Sequence, residues 1–139
     1  MTGAAAELLV DTSVAVALVV ADHAAHAAVI DSVGRRHLGL AGHAAFETYS
    51  VLTRLPPPAR RDPATVRTLL VENFPDSRFL SADRSLSLLG DLADLGVAGG
   101  SVYDALVAAA AVAHRLPLAT RDERALDTYR AVGADVRLI

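Results

Sequence analysis

Short apolar segments alternate with longer stretches of helical pattern along the chain, and this alternation restricts the folds open to it. The pattern predicts strands at residues 8–10, 38–40, 78–80, 116–120 and 135–138. Strands separated by helices of about ten or more residues pair in parallel, with helices on both faces of the sheet. The helical connections between parallel strands are right-handed, and they place the helices in layers on the two faces of the sheet. We therefore expect an α/β fold: a three-layer α/β/α sandwich with a central, mainly parallel sheet.

The helices fill the intervals between those strands. They are predicted at 14–20, with Thr12 or Ser13 as the cap, and at 22–33, 43–55, 64–73, 85–95, 102–115 and 123–131. Three consecutive prolines, Pro56 to Pro58, end the third helix and predict an exposed loop. Since 139 residues make one ordinary domain and no repeat or linker divides them, we expect a single domain over residues 1–139.

Composition excludes several classes of protein. Apolar residues make up 53% of the chain against 21% charged, which is typical of a globular protein. The longest apolar runs, 14–21 and 105–113, are shorter than the ~20 residues of a membrane span, and the N-terminus lacks the basic stretch of a secretory signal. We therefore expect a soluble, cytoplasmic protein with no membrane partner.

The chain has no cysteine and no lysine. The first absence excludes disulfides, thiolate metal sites and a cysteine nucleophile, and the second excludes a catalytic lysine. The formal net charge of −3 argues against a general nucleic-acid coat protein, but it is compatible with a nuclease whose acidic centre is neutralised by metal ions.

Four acids occupy the positions where an α/β fold places its ligands, beyond the carboxyl ends of the strands. Asp11 ends the first strand, Asp122 follows the strand at 116–120, Asp104 lies in the first turn of the helix that Ser101 opens, and Glu47 lies within the third helix. Hard cations such as Mg2+ and Mn2+ prefer oxygen ligands. The pattern predicts a carboxylate cluster that holds one or two such ions for phosphodiester hydrolysis by metal-activated water.

Each acid also has a purely structural interpretation. Ser101 and Asp104 have the spacing of a capping box. Asp122 can favour the start of the last helix through the helix dipole, and Asp11 can begin a turn. Glu47 has only His43 as a possible partner one turn away, whereas structural surface glutamates more often have a basic residue there.

In this arrangement the chain resembles the PIN-domain nucleases, and among them the VapC-like toxins of type II toxin–antitoxin systems. The resemblance is carried by Leu-Leu-Val-Asp-Thr-Ser-Val (8–14), the acid within His-Ala-Ala-Phe-Glu-Thr (43–48), the segment Ser-Val-Tyr-Asp with its alanine-rich continuation (101–111), and Leu-Ala-Thr-Arg-Asp-Glu-Arg (118–124). It implies a Mg2+- or Mn2+-dependent endoribonuclease, often a homodimer, restrained by a cognate antitoxin protein. By resemblance, Asp11, Glu47, Asp104 and Asp122 are the catalytic, metal-binding acids.

The resemblance also matches Ser13 and Thr120 to small hydroxyl positions that place an acid or a metal-bound water, while Asp127 stays outside the catalytic set. The alternative within the family is a catalytically inactive module that only binds RNA or protein. Phosphoaspartate folds also place an acid after the first strand, but they need further acids and a lysine that this chain lacks.

Other polar and aromatic residues have ordinary interpretations. His23 and His26 lack a third metal ligand, and the arginines at 35, 36, 60 and 61 are interpreted as solvated loop charge. Phe46 and Tyr49 are predicted to pack against neighbouring helices.

Overall fold

Four short strands form a wholly parallel sheet in the computed structural model, which describes residues 5–139. The strands are β1 (Leu8–Val10), β2 (Leu38–Leu40), β3 (Leu118–Thr120) and β4 (Val136–Leu138). Their order in the sheet is β2-β1-β3-β4. The central strand β1 pairs with both β2 and β3, so the carboxyl ends of β1 and β3 lie side by side.

Within the part of the chain that the structure describes, seven α-helices surround the sheet. They are α1 (Thr12–Val19), α2 (His26–Val33), α3 (Ala44–Thr53), α4 (Pro63–Asn73), α5 (Ala82–Asp91), α6 (Ser101–His114) and α7 (Leu126–Val132), the last preceded by a 3-10 turn at Glu123–Ala125. No helix within residues 5–139 has the length and apolarity needed to cross a membrane.

Both faces of the central strand β1 are buried, as the alternation of its side chains shows. Leu8 and Val10 belong to a core cluster with Val14 of α1 and Val29 of α2. Leu9, which points the other way, belongs to a second cluster with residues of α6 and α7. Strands covered on both faces are apolar at every position. The predicted three-layer α/β/α sandwich is therefore confirmed.

Some predicted boundaries are wrong, and side-chain caps explain most of the differences. The strand predicted at 78–80 is only a single bridge between Ala41 and Arg78, because Ser81 caps α5 immediately afterwards. Accordingly, α5 begins at Ala82 and not at Ser85. The helix predicted from Asp22 begins at His26, after a turn. The cap of α1 is Asp11, not Thr12 or Ser13.

Gly42 lets α6 approach the connection between β2 and α3. It has a φ of +53°, and a Cβ placed there would lie 3.0 Å from Cβ of Ala110 and 3.4 Å from the carbonyl oxygen of Leu106. A larger residue would be both strained and crowded. The turn that leads into α3 consequently lies against the middle of α6.

Candidate active site

A cavity of about 200 Å³ opens at the carboxyl ends of β1 and β3. It is lined by Asp11, Thr12, Ser13, Glu47, Asp104, Val107, Asp122 and Tyr129. The prediction that four acids from four separate segments converge in one pocket is confirmed. Their convergence follows from the topology, because the parallel strands end at one edge of the sheet and the helices, which run back in the opposite direction, begin at that same edge.

Asp11 is the most buried of the four acids, with 3% of its surface exposed. Its Oδ1 accepts hydrogen bonds from Oγ of Ser13 at 2.6 Å and from the backbone N–H of Val14 at 3.2 Å. Its Oδ2 accepts from the hydroxyl of Thr120 and, at 2.8 Å, from that of Tyr129. Four donors therefore fix the plane of this carboxylate and compensate its burial.

Ser13 and Thr120 join the two neighbouring strand ends. Oγ of Ser13 accepts from the backbone N–H of Arg121 at 2.8 Å, and Oγ1 of Thr120 accepts from that of Asp122 at 3.0 Å. Since both hydroxyls also donate to Asp11, the segment after β3 is tied directly to the end of β1. The resemblance implied that these two hydroxyls position an acid or a metal-bound water, and here both position the carboxylate of Asp11.

Asp104 is half-buried and lies within the field of the other three acids. Burial raises its pKa above the usual range, and the charges of Asp122, Glu47 and Asp11 raise it further. The capping-box interpretation is wrong: Gly100 is the cap residue of α6, and no side-chain hydrogen bond caps this helix. Asp104 lies in the first turn of α6 but does not cap the helix through a hydrogen bond.

Glu47 and Asp122 complete the acidic lining from two sides. Glu47 lies on an exposed part of α3, and none of the ion pairs found within residues 5–139 involves it. Asp122 does cap the following 3-10 turn, since its Oδ1 accepts from the backbone N–H of Arg124 at 3.0 Å. Its ion pair with the almost fully exposed side chain of Arg124, at 3.4 Å, is too solvated to neutralise the pocket.

Sequence analysis missed Tyr129, which lies on the short helix α7. The residue is 2% exposed, and burial together with the charge of Asp11 raises the pKa of its hydroxyl. A buried tyrosine needs a partner for its hydroxyl. That requirement was the available signal, but the sequence alone does not identify a partner 118 positions away.

The donor set of the pocket fits a hard divalent cation. The acidic groups that line it are all carboxylates, and beyond the effect of burial the charges of Asp122, Glu47 and Asp11 raise the pKa of Asp104. Within the described residues, no three His, Asp or Glu side chains come close enough to hold one ion by themselves. Mg2+ is commonly bound through one or two carboxylates and keeps several waters, for which this cavity has room.

A larger apolar groove of about 560 Å³ lies beside α3 and α4. Phe46, Tyr49, Val71 and Phe79 are all well exposed along it. The prediction that Phe46 packs against neighbouring helices is therefore wrong for most of its surface, which is 68% exposed, although its ring lies 6.0 Å from that of Phe79. Tyr49, at 39% exposed, is covered over most of its surface. Phe46 directly precedes Glu47, so α3 connects the groove to the acidic pocket.

The histidines and loop arginines singled out in the sequence have local roles. Nδ1 of His23 accepts from the backbone N–H of Ala25, and Nδ1 of His26 lies 2.9 Å from the carbonyl oxygen of Ala17. Arg60 and Arg61 donate to carbonyl oxygens of their own loop region, those of Leu55 and Ala59. Asp127, left out of the catalytic set, is exposed and does not line the pocket.

Known proteins resemble this chain over nearly its whole length. The family model of the PIN domain matches residues 8–131. The chain is 51% identical over 129 residues to "Ribonuclease VapC27" of Mycobacterium tuberculosis, covering 93% of this chain and 94% of that protein. It is 43% identical over 131 residues to "Ribonuclease VapC40" of the same species, covering 93% and 96%.

A solved structure agrees with the fold. It is a chain of the crystal structure of VapBC2 from Rickettsia felis bound to a DNA fragment from their promoter, and it superposes with a TM-score of 0.64 at 13% identity, covering 95% of this chain and 98% of that one.

Proposed function

The chain belongs to the PIN-domain family, and on this premise we propose that it is a divalent-metal-dependent endoribonuclease acting as the toxin of a toxin–antitoxin pair. The observation that carries the proposal is the convergence of Asp11, Glu47, Asp104 and Asp122 in one pocket. The high identity to proteins named as ribonucleases supports the reaction class. We place the protein in the cytoplasm, where its RNA substrate is found.

The four acids are proposed as the catalytic and metal-binding residues, with Mg2+ as the cofactor and Mn2+ as a substitute. A cation held by these carboxylates would supply an acidified water as the nucleophile and charge stabilisation for the leaving oxygen. Asp11 is held rigidly by its four donors, whereas Glu47 and Asp122 are more exposed and can adjust to the ion. Thr120 and Ser13 hold the two strand ends at the separation that the pocket needs.

The apolar groove beside α3 and α4 is the proposed binding surface of the antitoxin. A helix or an extended tail buries such exposed aromatic and aliphatic side chains. Because Glu47 follows Phe46 on α3, a partner in the groove lies within reach of the pocket, where a basic side chain would compete with the metal. We further propose a homodimer, for which the exposed Leu86 and Leu89 of α5 offer an apolar surface.

Cleavage of RNA by the purified protein tests the proposed function. We expect cleavage in Mg2+ or Mn2+, none in EDTA, and recovery when the metal is restored. The variant Asp104→Asn controls for contaminating ribonucleases, because it should purify identically and lack the activity. A wild-type protein that binds RNA but never cleaves it would instead be the catalytically inactive module of the family.

A further inference from the structure

His43 and Tyr103 form a stacked aromatic pair beside the acidic pocket. Their ring centroids lie 4.9 Å apart with 25° between the ring planes. Tyr103 is 55% exposed, and His43 is partly exposed. The pair therefore contributes little to the core and presents aromatic surface to the solvent.

The fold sets the position of this pair relative to the acids. His43 directly follows Gly42, the residue that allows α6 to approach, and Tyr103 lies one turn before Leu106, which faces Gly42. Glu47 lies one turn beyond His43 along α3, and Asp104 directly follows Tyr103 on α6. The stack therefore lies at the N-terminal ends of α3 and α6, where Glu47 and Asp104 also lie.

An RNA strand at this pocket gains from an attraction that does not depend on charge, in addition to the proposed cation that offsets the acids. The four carboxylates repel phosphates, and the chain as a whole has a formal net charge of −3. Stacking of an unpaired base on an aromatic side chain is independent of net charge and tolerant of sequence. The exposed ring of Tyr103, supported from behind by His43, has the geometry for this contact.

We propose that the His43–Tyr103 stack binds an unpaired base of the RNA next to the phosphate that is cleaved. This assignment rests on the proposed ribonuclease function and adds a substrate subsite to it. It also favours single-stranded or looped RNA, because a base within a duplex must first be unpaired and unstacked, which costs free energy.

Binding of a short fluorescein-labelled single-stranded RNA, followed by anisotropy in Ca2+ with the RNA checked for integrity, tests the subsite. Tyr103→Ala should weaken binding about tenfold, the usual scale for one stacked base. Tyr103→Phe, the matched control, keeps the ring and should bind within about twofold of the wild type. In turnover, Tyr103→Ala should raise KM more than it lowers kcat, because the contact binds substrate without touching the reacting atoms.

A strand of the same length with abasic sites separates stacking from phosphate contacts. The wild type should bind this strand more weakly than the intact RNA, and Tyr103→Ala should bind the two alike. Equal binding of both strands by the wild type would overturn the proposal, and this comparison needs no variant to fold. If the wild type binds the intact RNA more tightly than the abasic strand but cleaves neither, the proposed ribonuclease activity is wrong, whereas the base-binding subsite is supported.

Discussion

The hydroxyl of Tyr129 lies 2.8 Å from Oδ2 of Asp11 and connects the helix α7 to the end of β1. It is one of four donors to a carboxylate that is almost wholly buried. The ring of Tyr129 is itself packed in the core cluster that covers one face of the sheet. Packing of the core therefore helps to set the orientation of an acid in the candidate active site.

We predict that Tyr129→Phe weakens metal binding while the fold persists. The change removes only the hydroxyl, so packing survives and Asp11 loses one of its four donors. Loss of a hydrogen bond behind a metal ligand typically reduces metal affinity about 10- to 100-fold. Calorimetric titration with Mn2+ measures this affinity, and the thermal midpoint reports on the fold.

Tyr103→Phe is the control for this experiment, because it also removes one phenolic hydroxyl but outside the pocket lining. The double variant Asp11→Asn with Tyr129→Phe should bind Mn2+ no more weakly than Asp11→Asn alone if Tyr129 acts through Asp11. Independent, additive losses would show that Tyr129 does not act through that carboxylate.

We predict that Asp104→Asn abolishes cleavage without unfolding the protein. The amide is nearly isosteric but uncharged, and it binds hard cations poorly. Activity in Mg2+ or Mn2+ should fall about 100-fold or more, while the thermal midpoint of the metal-free protein stays the same or rises, since one member of a like-charge cluster is gone. Asp31→Asn, on the exposed side of α2, should change neither quantity.

The cleavage rate and the thermal midpoint of Asp104→Asn should be measured on the same preparation. A folded variant with full activity would remove Asp104 from the proposed catalytic set. A large fall in the thermal midpoint would contradict the structure, in which Asp104 has no capping role.

The sequence predicts which acids lie together in the pocket, because the pattern that points to each of them spans only a few residues. An apolar strand that ends in Asp11, and another followed by Asp122, are visible in a few consecutive residues, and the sheet topology then brings them together. The same local reasoning missed the contact between Tyr129 and Asp11, which depends on how α7 packs. It also missed the stack of His43 on Tyr103, which depends on the close approach of α6 at Gly42.

The wrong boundaries have a related cause. Hydrophobic pattern predicts that Arg78 to Leu80 extends the sheet, but pattern does not weigh the cap at Ser81, whose side chain accepts from the backbone N–H of Arg84 and starts α5 early. Similarly, Asp11 is both the end of a strand and the cap of α1, and a sequence pattern assigns it only one of these roles.

The raised pKa of Asp104 predicts a pH dependence of stability. In the unfolded chain this carboxyl titrates near its model value of 3.8, and in the folded protein it titrates higher. Between these two values the folded state binds more protons, so the metal-free protein loses stability as the pH rises through the folded pKa. Thermal midpoints of the wild type and Asp104→Asn should therefore agree below the unfolded value and diverge above the folded one.

Magnesium should remove much of this difference, because a cation in the pocket favours the ionised carboxylate. The rise in the wild-type thermal midpoint on adding Mg2+ should be larger at neutral pH than at acidic pH. An Mg2+ effect of equal size in the wild type and in Asp104→Asn at neutral pH would indicate binding somewhere else.

The last prediction concerns the apolar groove and its partner. Val71 is 66% exposed and lines the groove between α3 and α4. In Val71→Glu, a complex would have to desolvate a carboxylate among apolar side chains, at a cost of several kcal/mol that Arg67, one turn away and the only charged residue among those described in the groove lining, offsets only in part. Since each 1.4 kcal/mol is about tenfold in affinity, we expect binding of the proposed antitoxin to weaken about 100-fold or more.

Co-expression and co-purification with the product of the adjacent gene measure the effect of Val71→Glu. Ile30→Glu is the matched control, because Ile30 is also an exposed aliphatic residue on a helix but does not line the groove. Both variants should keep their thermal midpoints, since neither site is buried. If Val71→Glu still forms the complex as well as Ile30→Glu does, the antitoxin binds elsewhere; if the wild type forms no complex, the toxin–antitoxin assignment itself fails.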